Sequence, residues 1–189
     1  MDSLDLLRRK SPELYLPDDS VIGSAHSNAI RDSFQKIGLS AIFCVQGVPA
    51  FAYLFQEKYD SQAVIDAHAK LWNQGLVSLL LVISDETIRI FSLAKLPIYN
   101  VESEFQDKCL IDTFNRVEEA LKISSLVSGA ETGRLWQEHS DFFKLNERVD
   151  SYLLNNLVQS HKELKANGLE SEAAQALLMQ TMFIAYLED

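Results

Sequence analysis

The chain has 189 residues, 47% of them apolar and 23% charged, with a net charge of −10. That composition belongs to one globular domain, or to a domain with a helical appendage. It offers no apolar run of the roughly 20 residues that a membrane span needs, no signal-peptide core in the opening MDSLDLLRRK, and no disulfide framework or metal pair in Cys44 and Cys109.

The two cysteines therefore read as reduced thiols of a cytoplasmic protein. The negative charge is uneven. Residues 1–100 carry 9 basic and 11 acidic side chains, residues 101–189 carry 8 and 16. Non-specific DNA affinity comes from Lys and Arg on phosphates, so this chain alone is expected to bind DNA weakly.

Residues 1–23 hold Leu4, Leu6 and Leu7, then Arg8-Arg9-Lys10, then Pro12 and Pro17. They predict an N-terminal arm, a short helix followed by an extended connector. Residues 24–38 predict a helix with Ile30, Phe34 and Ile37 on one face and Gly38 as its terminator. Ala41 to Val45 and Ala50 to Phe55 predict two strands joined through the turn-like Gln46-Gly47-Val48-Pro49. In the next stretch Val64, Ile65, His68, Leu71 and Trp72 share one face of a 3.6-residue period. Ser61 fits as its N-cap and Gly75 as its stop. Leu76 to Ile83 is almost continuously apolar, as in a strand covered on both faces. Ser84-Asp85-Glu86 supplies a turn, after which Ile88 and Ile90 alternate with Arg89 and Phe91 in a half-buried strand.

Beyond Pro97 the period turns helical from about Glu104. Leu110, Phe114, Val117 and Leu121 make one stripe, followed by a loop with Gly133, Trp136 and Phe142-Phe143. Val149, Leu153, Leu157 and Leu164 make a second stripe ending at Gly168, and Ala174, Leu177, Leu178, Thr181 and Ala185 a third. The expected fold class is α+β. A small mixed sheet of about four strands with flanking helices occupies residues 24–100, and an all-helical part occupies residues 101–189, with the seam near 94–104. The closing MFIAYLED is apolar and helical and carries no Gly, Asn or Pro stop. This is the pattern of a helix leading into a further domain; a docked helix that simply stops is the other reading.

Reaction chemistry is hard to find. GxGxxG, GxxxxGK[ST], HExxH and GxSxG are all missing, and His26, His68, His139 and His161 are far apart. His68 on an apolar helix face reads as a hydrogen-bonded core histidine. The helix–strand–strand–helix–strand order suits a metal-dependent nuclease of the PD-(D/E)XK kind. That chemistry needs an acid on one strand and Glu-x-Lys on the next, to hold the metal and place the attacking water. The nearest candidates, Glu57-Lys58 with Asp60, and Asp85-Glu86, lack the spacing and fall in expected turns. An active nuclease and a decayed relative of that fold therefore stand as alternatives for residues 24–100.

No catalytic, cofactor-binding or metal-ligating residue is assigned. The structural or interface candidates are Trp72, Asn73, Gln74 and Gly75, then Arg134 and Trp136. The first four either close a helix over a core tryptophan or turn their amides toward a partner domain or DNA. Arg134 and Trp136 either pack a loop onto the helical part or anchor a partner surface, since Trp and Arg are favoured hot spots.

Several segments taken in order resemble a known family. They are AIFCVQGVPAFAYLF, HAKLWNQGLVSLLLVISDETIRIFS, SGAETGRLWQE, RVDSYLLNNLVQSHKEL and LLMQTMFIAYLED, covering roughly residues 25–189. Together they look like the N-terminal region of large bacterial adenine-specific DNA methyltransferases of restriction–modification and related phage-defence systems. The resemblance implies that a methyltransferase domain of the same polypeptide follows and is the chain's partner, with DNA reached through the parent enzyme. That domain would carry S-adenosylmethionine on a glycine-rich loop and the flipped adenine on an (N/D)PP(Y/F) motif. This chain has neither; its prolines, Pro12, Pro17, Pro49 and Pro97, are isolated. The implied function is that of an accessory module with no cofactor of its own and no membrane association. The alternatives are the nuclease and a free-standing protein–protein interaction module.

Overall fold

The structure, a computed structural model, describes residues 13–99, 101–144 and 147–188. Residues 1–12 of the expected arm lie outside these. The chain divides into two units, one ending at Val149 and the other beginning at Asp150.

The first unit is built on a six-stranded sheet in the order β1-β2-β3-β4-β5-β6. Its strands are β1 (Leu14–Tyr15), β2 (Ala41–Val45), β3 (Val48–Phe55), β4 (Leu79–Ile83), β5 (Thr87–Ser92) and β6 (Leu110–Asn115). Among the described strands the only parallel neighbours are β3 and β4, which need a crossover and are joined by helix α2 (Ser61–Gln74). The other neighbours are antiparallel. Between β2 and β3 the chain reverses at Gln46 and Gly47, both at positive φ (53° and 80°). Such a turn matches the twist of its flanking strands.

The central strand shows why the sheet needs two covers. Along β4, Leu79, Leu81 and Ile83 enter one core, while Leu80 and Val82 enter the other. The first core also takes Phe43, Phe51, Tyr53, Ile88, Ile90 and Phe114, and is closed by Ile123, Val127 and Leu135 of helices α4 (Glu119–Glu131) and α5 (Arg134–Glu138). The second takes Ile42, Ala52 and Phe91. It is closed by Ile30 of helix α1 (Ser27–Asp32), by Val64, Ile65 and Leu71 of α2, and by Phe105 and Cys109 of helix α3 (Glu102–Cys109). Cys109 is fully buried, and burial pushes its thiol up to about 12.

The class is α+β as the sequence predicts, but the sheet has six strands, where about four were expected. One addition is β1, only two residues long. The other is β6, expected as the first turns of a helix. Leu110, Phe114, Val117 and Leu121 do recur at helical spacing, yet residues 110–115 pair with β5 from Thr87↔Asn115 to Phe91↔Leu110. Val117 and Leu121, expected on the buried stripe, are 96% and 80% exposed. Residues 110–138 thus belong to the sheet-bearing unit, and the division falls near 149 instead of at 94–104. The N-cap of α2 also differs from expectation: Asp60, one residue before Ser61, accepts from the backbone N–H groups of Gln62 and Ala63 at 3.0 and 3.2 Å.

The second unit is a helical hairpin of α6 (Val149–Ala166) and α7 (Ser171–Glu188). Gly168 turns it at φ 93°, and Leu169 donates back to Leu164 O at 3.1 Å, satisfying an end carbonyl. Ala174 is buried, while Leu154, Met179, Phe183 and Leu187 are exposed. Among the described residues no helix is long and apolar enough to cross a membrane.

The cap assignment has a direct test. Asp60→Ala should lower the unfolding free energy by about 1 kcal/mol and Ser61→Ala by less than about 0.5 kcal/mol, measured by urea denaturation. Equal losses would return the cap to Ser61.

A candidate functional cleft at the end of helix α2

Helix α2 ends where the expected stop lies. Gly75 adopts φ 62°, and its N–H donates to Leu71 O and Trp72 O at 3.0 and 3.2 Å. A side chain there would be strained by the φ, and its Cβ would meet Val149 Cγ1 at 3.1 Å. Just before it, Gln74 is consumed internally: its amide donates to Ala29 O at 2.9 Å and accepts from Ser33 Oγ at 2.8 Å. Gln74 thus binds α2 to α1, while Asn73 is exposed. Of the two amides expected to turn outward, only Asn73 does so.

The buried face of α2 carries two anchors one turn apart. His68 is fully buried, donates Nε2–H to Ser92 O at 2.8 Å, and meets the Phe105 ring edge-on at 5.1 Å. Burial drives its basicity down to about 4, so the imidazole is neutral at physiological pH. This is the core histidine that the apolar face predicts. Trp72 is 6% exposed, and its Nε1–H donates to Glu147 O at 3.1 Å.

These anchors reach the segment after α5. Ser92 Oγ donates to Phe142 O at 2.6 Å, continuing the line from His68. Lys95 pairs with Glu147 at 3.2 Å, both largely covered. Trp136 meets Phe143 edge-on, with ring centroids 4.8 Å apart. Residues 136–144 and 147–149 are thereby held at the end of the sheet. Between them and the α2 corner lies a cleft of about 610 Å³, lined by Pro49, Trp72, Gly75, Trp136, Phe143 and Arg148 among others. Trp72, Gln74 and Gly75, and the candidate Trp136 from a distant part of the sequence, line this one cleft.

Arg134 does not join them. It lies on a different cleft with Asp112, Lys122 and Glu138, and its guanidinium is 3.4 Å from Glu138, both groups more than half exposed. A surface pair of that kind contributes little. Trp136 therefore stands without Arg134 as an anchor. Phe143, Glu147 and Arg148 were not foreseen near Trp72, because only the tertiary fold brings residues so distant in sequence to it.

The acidic candidates meet elsewhere. Glu57, Lys58, Asp85 and Glu86 line a separate cleft of about 370 Å³ with Arg89, whose guanidinium sits 3.8 Å from the centre of the Tyr59 ring. All four lie in the connections β3–α2 and β4–β5. On the described strands the one carboxylate is Asp112, 3.6 Å from Lys122. No described group of three or more His, Cys, Asp or Glu is placed to hold a metal.

Comparisons with protein-family models, curated proteins and solved structures find no match to this chain.

Trp72 has two separable contributions. Trp72→Ala should destabilise by about 3–5 kcal/mol through lost burial. Trp72→Phe, which keeps most of the apolar body but not the indole N–H, should retain most of that and lose about 1 kcal/mol for the bond to Glu147 O. A loss below about 1 kcal/mol for Trp72→Ala in urea unfolding would remove Trp72 as the anchor.

Proposed function

We propose that this chain is an accessory, non-catalytic module of a site-specific adenine DNA methyltransferase of restriction–modification or phage-defence type. One observation carries the reading beyond the resemblance itself. Four of the five resembling segments contribute to the α2-corner cleft: the hairpin through Pro49, the corner through Trp72 and Gln74 to Ser78, the α5 segment through Trp136, and the fourth segment through Arg148 and the first α6 residue, Val149. Motifs scattered over a hundred residues meet at one place, as expected where a shared surface ties them together.

The module holds and positions rather than reacts. The catalytic chemistry, with S-adenosylmethionine and the extruded adenine, belongs to a methyltransferase domain of the same polypeptide. The α6–α7 hairpin supports the connection. A helix apolar on all sides needs covering on all sides, and α7 exposes Met179, Phe183, Ile184 and Leu187. Localisation follows the parent enzyme, in the cytoplasm beside the DNA it modifies.

The test is the coding sequence beyond the Asp189 codon. A glycine-rich loop and an (N/D)PP(Y/F) motif are expected in the same frame. A stop codon within a few residues would contradict the reading and favour a free-standing interaction module. The purified chain should leave DNA intact with Mg²⁺ or Mn²⁺; cleavage abolished by Glu57→Ala or Asp85→Ala would make it a nuclease instead.

A further inference from the structure

The second unit has almost no interior of its own. Among its described residues Ala174 alone is buried. Two helices of 18 residues each are too few to enclose a core between them, so their apolar side chains look outward. One face gathers several of them. Leu157 and Val158 of α6 and Leu178, Met179 and Met182 of α7 line a groove of about 350 Å³ between the two helices. Leu154, one turn before Val158, extends the same side of α6 and is 61% exposed; Met179 is 72% exposed. Charge is sparse here. From Ala173 to Leu187 the sequence of α7 holds no charged residue, in a chain that is 23% charged. The groove's described lining has one charged side chain, Lys162, in the part of α6 nearer the Gly168 turn. His161 beside it turns Nε2 to the Ser171 hydroxyl at 3.3 Å.

From this we infer that the groove face is the contact between two copies of this chain, whose hairpins stack face to face as an antiparallel four-helix bundle. A two-fold contact lays a surface against itself, so the surface must be self-complementary. Each charge near the axis would meet its own like charge, and in a chain of net charge −10 the uncharged length of α7 is where two copies approach with least repulsion. Lys162 selects the direction. An antiparallel stack sets the two lysines on opposite sides of the axis, whereas stacking turn on turn would set them together. The size also fits. Two 18-residue helices side by side are about 27 Å long and about 20 Å wide, a footprint of roughly 540 Å². A ridged face has more accessible area than its footprint, which brings it to the roughly 600–1,000 Å² per partner of a specific complex. The pairing gives each helix a second helical neighbour and supplies the shared core that one hairpin lacks. It goes beyond the accessory-module reading and does not need it. Ile184, 56% exposed, lies on the other side of α7 from Met179 and Met182 and stays open to a following domain.

Sedimentation equilibrium of the whole chain tests the pairing. At about 100 µM the chain should run at twice its monomer mass, with a Kd of about 10 µM or tighter. Met179→Glu places a carboxylate at an exposed position beside the axis. It should keep the helical circular dichroism of the parent chain and weaken the dimer about a hundredfold or more, to a monomer at the same concentration. Ile184→Glu, on the far side of the same helix, should leave the dimer intact, which separates this face from general stickiness of an apolar helix. A monomeric parent chain at about 100 µM overturns the inference; if that monomer co-sediments with phosphatidylcholine vesicles the face is a lipid contact, and if it does not the face belongs to a different protein domain. A dimer that survives Met179→Glu, or one that Ile184→Glu dissociates equally, overturns it too. None of these failures touches the reading-frame test of the parent enzyme.

Discussion

Helix α2 lies face-down on the sheet, and the rest of the first unit depends on that placement. β3 and β4 are parallel neighbours, and α2 is the crossover that makes this pairing available. Its buried stripe closes the second core. Its two polar anchors, His68 and Trp72, bind at a distance. His68 holds the end of β5 through Ser92 O, and Ser92 passes the constraint to Phe142 through its hydroxyl. Trp72 holds the backbone at Glu147. A neutral imidazole and an indole thus tie one helix to a strand and to the returning segment.

The candidate cleft is a by-product of this arrangement. One side is the end of α2 and its link to β4; the other is the segment that the anchors hold at the end of the sheet. That geometry explains the division of labour between the candidates. Gln74 serves the joint between α1 and α2, and Trp72 joins the helix to the returning chain. Trp136, half-buried against Phe143, faces the cleft from the other side. The acidic turns lie apart from it, and the sheet interior is aliphatic and aromatic.

Much of the fold was legible because its signals were local. The stripe from Val64 to Trp72, the stop at Gly75, the doubly covered β4 and the terminator Gly38 each carry their physics within a few residues. β6 was not legible, since Leu110, Phe114, Val117 and Leu121 satisfy a helical period as well. Pairing with β5 decided the matter, and pairing is a property of distant sequence. The cap of α2 was misplaced by one residue because Ser61 and Asp60 are both good acceptors, and only the backbone geometry shows which carboxylate or hydroxyl reaches the free N–H groups. The site was legible as residues but not as a place. Nothing in a linear pattern says that Trp72 and Trp136 line the same cleft while Arg134, two residues from Trp136, does not.

The central claim is that a buried neutral His68 pins α2 to β5, and pH is the lever on it. A histidine with a folded pKa near 4 and an unfolded value near 6.5 takes up its proton more readily when unfolded. Stability should therefore be constant above about pH 7 and fall as pH drops from 6.5 toward 4. The measurement is the unfolding free energy in urea, for the parent chain and for His68→Gln, at about pH 7.5 and pH 5. The parent chain should lose about 2 kcal/mol more than the variant over that interval. Parallel losses in the two proteins would show that His68 titrates normally and that α2 is held by something else.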